Sequence, residues 1–490
     1  MRPSSSPSDP GPAPVAGVPT APGPAPVAPG PAAPGAARAA PGAAQARGAL
    51  FDPLFSSPAV AAAVSDRAWV QAMLDAEAGL VRAEARVGLV PAAHADAIAA
   101  ACDAARFDIA ALGEQAAASG NPVVPLVRAL TVAVGGRAAA HVHLGATSQD
   151  ILDTATMLVA RRATGTVLDD LAAAAAVCAR LAEEHRSTPM AGRTLLQQAL
   201  PVTFGLKAAG WLVALDEAAA ALGQVRQGRL AVQLGGAAGT LASLDPHGPR
   251  VVAELALVLG LAEPTLPWHA HRGRLVELAG ALGTAAGVLA KIGRDLVLLA
   301  QTEVGEATAG GAGLGGSSTL PHKRNPVDAV LALAATRRVP ALVGALLAGL
   351  DQEHERAAGA WHAEWETLSD LLRLAGGASA RVRDALGRLE VHPGRMRANL
   401  DATGGRLLAE RVTAALVPRL GRLEAHDLVT SACRRSVDED RPLAAVLARD
   451  PTVAEALGPD RVGSALDELL DPTGYLGASD ELVQRALDYH

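Results

Sequence analysis

The chain has 490 residues, a net charge of −7 and only 2% aromatic residues. A negative balance, scattered arginines and so few rings exclude a nucleic-acid footprint. No uninterrupted run of about 18 strongly apolar residues stands out as a membrane span. Cys102, Cys178 and Cys433 are far apart and odd in number. They give no disulfide framework or zinc knuckle and fit a reduced, cytoplasmic compartment.

Residues 1–48 are Pro, Ala and Gly with hardly any charge, a composition that cannot offset its ordering entropy. They lack the charged start and continuous apolar core of a signal peptide, so a disordered extension is expected. From Leu50 the pattern is helical. Trp69, Met73, Leu74, Ala76, Leu80 and Val81 recur at helix spacing, with Asp66, Glu77, Arg82 and Glu84 between them. Similar stretches cover 151–161, 167–185, 204–222, 275–306 and 327–350. The last three are long, rich in Ala and Gly, and suit the middle of a bundle or an oligomer. Pro393 opens a final helical section. No run alternates with period two, so no sheet is required. The expected architecture is all-α in three parts: residues 49–155, a long-helix bundle over 156–390, and 391–490.

Four polar islands sit at predicted helix boundaries. His143-Leu144-Gly145-Ala146-Thr147-Ser148-Gln149-Asp150 precedes a helix that Thr147 or Ser148 can cap, and free N–H groups of a first turn bind anions. His141 and His143 form an HxH pair, but no strand is apparent to carry a metal site, and no metal or cofactor is expected. Gly192-Arg193-Thr194-Leu195-Leu196-Gln197-Gln198 offers a guanidinium fork with two neutral donors, which suits a carboxylate. Gly235-Gly236-Ala237-Ala238-Gly239-Thr240 reads as a tight turn or a close backbone approach.

The fourth island is Gly310-Gly311-Ala312-Gly313-Leu314-Gly315-Gly316-Ser317-Ser318-Thr319-Leu320-Pro321-His322-Lys323-Arg324-Asn325-Pro326. Five glycines in seven residues make a backbone too free to hold one shape. Asn325-Pro326 is a good helix start. A mobile loop feeding a fixed helix end is the pattern of a closing lid. Lys207, Lys291 and Lys323 are the only lysines among 43 basic residues. An ammonium kept at Lys323 in so arginine-rich a chain points to a shape requirement. Gly311, Gly313 and Gly316 match GxGxxG, but they follow a predicted helix and not a strand, which excludes a dinucleotide fold.

Taken together, the islands resemble the fumarase/aspartase superfamily, whose loop signature is GSSxMPxKxNxxxxE. The resemblance covers about residues 50–490. It implies an all-α fold with a long central bundle, no cofactor, and a homotetramer with active sites shared between subunits. It also implies that Ser317 takes the α-carbon proton, that Lys323 and Asn325 hold a substrate carboxylate and the enolate-like intermediate, and that Thr147, Ser148, Arg193, Thr194 and Gln197 line the same pocket.

Two departures choose a branch. Members that expel an alcohol or amine carry a His after GRT, paired with the Glu that closes the loop signature. Leu195 and Val330 stand there instead. A carboxylate leaving group, with an acid pKa of about 4, needs no such acid. The fitting reaction is opening and closing of a lactone on a small tricarboxylate. The stretches Pro267-Trp268-His269-Ala270-His271-Arg272, Gln352-Glu353-His354-Glu355-Arg356 and Gly359–Thr367 resemble that lactone-forming branch. They add His271 and Arg272 as substrate-binding candidates, and either His143 or His271 as a proton relay. An adenylosuccinate- or argininosuccinate-type lyase is the alternative.

Overall fold

Alanine and leucine recur at helical spacing through most of the chain, and helices form there, some of them started by a capping side chain or a proline. The computed structural model describes residue 48 and residues 50–309, 315–316 and 319–490. The expected extension, residues 1–48, lies outside the described residues except for Gly48. The long elements are α1 (Asp66–Arg86), α2 (Ser148–Glu184), α3 (Phe204–Gly228), α4 (Gly273–Leu299), α5 (Val327–Thr336), α6 (Val339–Leu347) and α7 (Ala360–Gly387). The fold is all-α.

α1 starts at Ser65, whose hydroxyl accepts the Ala68 N–H, and it buries Met73, Leu74 and Leu80 together with Glu77 and Glu84. α2 is one helix of 37 residues where the sequence suggested two. In its middle Thr164 returns its hydroxyl to the Ala160 carbonyl at 2.7 Å and Arg226 lies over Gly165. Such a helix is about 55 Å long. α4 and α7 begin beside its start, since Arg272 joins Asp153 of α2 to Glu364 of α7. α2, α3, α4 and α7 share one buried core, which includes Leu171, Leu212, Leu289 and Leu371.

The structure corrects the expectation that no strand is required. β1 (Pro189–Thr194) and β2 (Gln197–Thr203) form an antiparallel hairpin, and β3 (Ala307–Ala309) pairs with β4 (Leu389–Val391). The hairpin is too short and too polar to alternate cleanly. Its turn is Leu195-Leu196, at φ 50° and 66°, a conformation favoured by Gly and Asn that branched side chains rarely signal. α4 ends at Leu299, so a short strand, not a helix, leads into the glycine-rich loop. That strand belongs to an antiparallel ribbon, so a dinucleotide fold remains excluded.

The predicted helix 327–350 is broken at Arg337-Arg338. Two stretches, Gly273–Leu299 and Val327–Leu347, do reach membrane-span length and hydropathy, against the sequence expectation. The first is half buried in the protein, and the second carries the two arginines at its centre, a costly place in lipid. Val330 and Leu347 on that second stretch are half exposed.

Near the C-terminus, helices 409–420 and 422–438 build a small core of their own around Val412, Leu416, Val429, Leu447 and Leu466. The last helix, Ser479–Tyr489, returns Val483 and Ala486 to the main core.

Candidate active site

The candidate residues fall at two ends of the bundle. At the first, Thr147 precedes α2 and its backbone N–H donates to Asp150 Oδ2 at 2.9 Å, fixing the helix start. Asp150 also accepts the N–H groups of Gly235 and Gly236, each at 2.9 Å, and its Oδ1 lies 2.6 Å from His269 Nε2. The glycine turn therefore approaches closely, as expected. A Cβ at Gly235 would meet the His269 ring at 2.8 Å. Arg356 closes the group, donating to Thr147 Oγ1 and Gln149 Oε1, each at 3.1 Å. Ser148 is the first residue of α2 and half-buried, so an anion over this end would meet helix N–H groups and Arg356 together.

His143 stands four residues before the helix cap, at φ 60°, with Nδ1 2.6 Å from Oε1 of buried Glu77. Burial opposes its charge, but the Glu77 hydrogen bond and charge, with Asp150 behind, hold the imidazole above its ordinary value. His141 instead lies against the His94 ring, 5.0 Å between centroids. Among the described residues no group of three or more His, Cys, Asp or Glu is placed to hold a metal.

Arg272 corrects the sequence reading. It was expected to bind substrate, yet it is 1% exposed and its N–H groups are taken by protein. Nη1 and Nη2 fork onto Asp153 at 2.8 and 2.9 Å, Nε and Nη2 onto Glu364 at 3.0 and 2.6 Å, and Nη1 also reaches the Trp268 carbonyl. The group is a structural tie among α2, α4 and α7, with no donor left for a ligand. His271 beside it is exposed.

The second end carries the hairpin and the described residues of the glycine-rich loop. Arg193 donates from Nη1 and Nη2 to the Glu306 carboxylate at 2.8 and 2.7 Å. Its fork is thus occupied from within the chain, while Thr194 and Gln197 pair across the exposed tip. Asn325 does not cap α5; the N-cap position is Pro326. Asn325 instead turns back, its backbone N–H and Nδ2 donating to the Gly315 carbonyl at 2.9 and 3.0 Å. Gly315, at φ 70°, must be glycine, because a Cβ would meet the Asn325 carbonyl oxygen at 2.1 Å. Lys323 is exposed. Ser317 lies outside the described residues. Lys207 and Lys291, the other two lysines, line a cavity of about 390 Å³ with Arg193 and Asp295. Leu195 is 97% exposed at the hairpin tip, and Val330 is 47% exposed on α5.

α2 separates the two ends. Thr147 is at its start, whereas Arg193 comes nine residues after its last residue and lies beside Lys291 and Asp295 towards the far end of α4, so one chain holds them tens of ångströms apart. Lys323 and Asn325 stand at the hairpin end, because β3 pairs with β4 and Asp328 of α5 binds Arg381 and Arg388 at the end of α7. Sequence reasoning missed Glu77, His269 and Arg356 as parts of the first cluster. Glu77 was legible only as one polar position on a helix. Arg356 stood in a quoted stretch, but nothing in spacing ties it to Thr147.

An all-α bundle with a capped helix start at Thr147, a GRT hairpin and a sequence loop that carries Ser317, Lys323 and Asn325 is the architecture of a lyase. Residues 55–341 match the Lyase family, and the chain belongs to it. Residues 405–486 match the adenylosuccinate lyase C-terminus family. The chain is 50% identical to 3-carboxy-cis,cis-muconate cycloisomerase of Pseudomonas aeruginosa, covering 90% of this chain and 96% of that protein. It is 48% identical to nitrosuccinate lyase of Streptomyces davaonensis, covering 89% and 94%. The crystal structure of 3-carboxy-cis,cis-muconate lactonizing enzyme from Pseudomonas putida superposes with a TM-score of 0.84 at 46% identity, over 90% of this chain and 98% of that one.

Proposed function

We propose that this protein is a 3-carboxy-cis,cis-muconate cycloisomerase, interconverting the open tricarboxylate and its lactone in protocatechuate breakdown in the cytoplasm. The observation that carries the reading is the paired loss of an acid. Leu195 and Val330 stand where relatives that expel poor leaving groups carry His and Glu, and no proton donor is needed when the group that leaves is a carboxylate.

In the cyclising direction one carboxylate adds across the conjugated double bond, and negative charge develops on another carboxyl group. Lys323, Asn325 and the N–H groups at the start of α2 stabilise that charge where it appears. Ser317 delivers the proton to the α-carbon, and removes it in reverse. Its hydroxyl is activated when the loop closes over the cations. Arg193 and Glu306 hold the hairpin to the stem of the lid, with Thr194 and Gln197 as neutral donors at its tip.

The reading requires more than one copy. The two clusters lie too far apart in one chain to share a substrate, so the start of α2 from one copy meets the hairpin and lid of others. Half-exposed apolar residues on α5 and α6 supply a face for such packing. A homotetramer with shared sites meets both needs.

The test is loss of the muconate absorbance on adding enzyme, beside adenylosuccinate as a control. Ser317→Ala is expected to lower turnover by about 10²–10⁴. Near-full turnover in that variant overturns the assignment of the base. Elimination from nitrosuccinate is a second reading, favoured by the 48% identical relative. It too expels an anion that needs no proton. Turnover of nitrosuccinate without lactonisation replaces the first reading with the second.

A further inference from the structure

α1 carries two glutamic acids, Glu77 and Glu84, seven residues apart and both buried, at 1% and 0% exposure. Their situations differ. Neither Glu84 oxygen has a hydrogen-bond partner among the described residues, and burial, reinforced by Glu77, pushes its carboxyl up to about 9. Glu84 is therefore a neutral acid at physiological pH. Glu77 has a partner, His143, whose Nδ1 lies 2.6 Å from Oε1. The His143 imidazole is the side chain set against this buried carboxyl group.

The backbone commits His143 to that contact. Its φ of 60° costs a non-glycine residue energy that the surroundings must offset, and the next turn continues through Gly145 at φ 69° into Thr147 and α2. With Nδ1 turned inward to Glu77, Nε2 is the ring nitrogen left to face outward, on a side chain 19% exposed. The arrangement repeats the logic of a catalytic triad, in which a buried carboxylate fixes the tautomer and direction of a histidine.

We propose that Glu77 is a positioning residue that holds His143 as an N–H donor at the start of α2, where its outward Nε2–H joins the helix amides and Arg356 in binding a substrate carboxylate. This deepens the reading above and rests on it for the identity of the substrate. It also separates the two relay candidates: His143 is the cation that meets developing negative charge, whereas exposed His271 has no carboxylate partner among the described residues to fix it. The charged groups facing His143 are Glu77 from α1 and Asp150 from the first turn of α2, with Arg356 beyond Thr147. Asp150 is engaged by His269 and three backbone N–H groups, which leaves Glu77 as the group that sets the charge on His143.

The test uses the full chain and measures His143 directly, by the pH dependence of hydrogen–deuterium exchange at its imidazole carbon, read by mass spectrometry. In Glu77→Gln the His143 titration is expected to move to lower pH, while that of exposed His426 stays put. The alkaline limb of kcat/KM is expected to move down with it. kcat is expected to fall about 10- to 100-fold at neutral pH and to recover in part on acidification. Glu77→Asp should restore part of the shift, and it replaces Glu77→Gln if that variant does not fold. Tricarballylate, an unreactive tricarboxylate, is expected to raise the His143 titration further in the wild-type protein. An unmoved His143 titration in a folded Glu77 variant overturns the proposal, as does a His143 indifferent to tricarballylate. Both readouts are independent of turnover, so failure to lactonise muconate bears on the proposed reaction alone.

Discussion

Arg193 and Glu306 meet through a two-pronged ion pair, with Nη1 and Nη2 at 2.8 and 2.7 Å from the two carboxylate oxygens. Glu306 is fully buried and also accepts from Asn399 Nδ2 at 2.8 Å. A hairpin is thereby pinned to the residue just before β3, the strand that leads into the glycine-rich loop.

Arg193→Lys keeps the charge but loses the fork. We expect a stability loss of about 1–3 kcal/mol, from a buried carboxylate left partly unpaired, together with reduced turnover. Thermal unfolding and the muconate assay on the same preparation check both. Unchanged values for each would show that the pair holds nothing in place.

Arg272 ties Asp153 to Glu364 with no exposed surface. Arg272→Met removes one partner from a buried cluster and strands two carboxylates, at a cost of about 3–5 kcal/mol. Denaturant unfolding should show the loss. Any folded Arg272→Met enzyme should keep KM close to wild type, whereas a large KM rise with unchanged stability would restore Arg272 as a substrate ligand.

Glu84 gives a pH signature. Its carboxyl is raised by burial, and then by Glu77, from 4.5 to about 9. A raised acid leaves its contribution to stability intact below pH 4.5 and loses it progressively as pH climbs towards about 9, because the unfolded chain ionises first. Glu84→Gln, which cannot ionise, should therefore be more stable than wild type at pH 8, on the order of a few kcal/mol. The difference should close below pH 4.5. A gap that does not change with pH would contradict the neutral-acid description.

The separation of the clusters predicts complementation. His143→Asn and Lys323→Ala proteins should each be nearly inactive. Unfolded together and refolded, they should recover roughly a quarter of wild-type activity, because random assortment leaves some sites with both intact contributions. No recovery in a correctly sized mixed oligomer would mean that the two ends do not serve one site.

The helical class and the long central elements were legible from periodicity, because a helix that buries one face must repeat its apolar residues every three or four positions. The polar islands were legible for a related reason. Gly235-Gly236, Thr147 and Asn325 break an alanine-rich background, and such breaks mark turns and helix starts. The hairpin around Leu195-Leu196 was not legible, since its turn uses residues that carry no turn signal. The break at Arg337-Arg338 was equally silent in the pattern.

The sequence by itself pointed to the reaction class, through a family resemblance carried by Ser317, Lys323 and Asn325 and by Leu195 and Val330, which stand where other members carry His and Glu. Tertiary structure alone decided which charges are free. Arg272 and Arg193 look like ligand-binding arginines until Asp153, Glu364 and Glu306, distant in the chain, are seen to occupy them. Glu77 looks like a surface position until it is found buried against His143. The reason is physical: a side chain's chemistry is set by its type, but its availability is set by partners that only folding brings within hydrogen-bond reach.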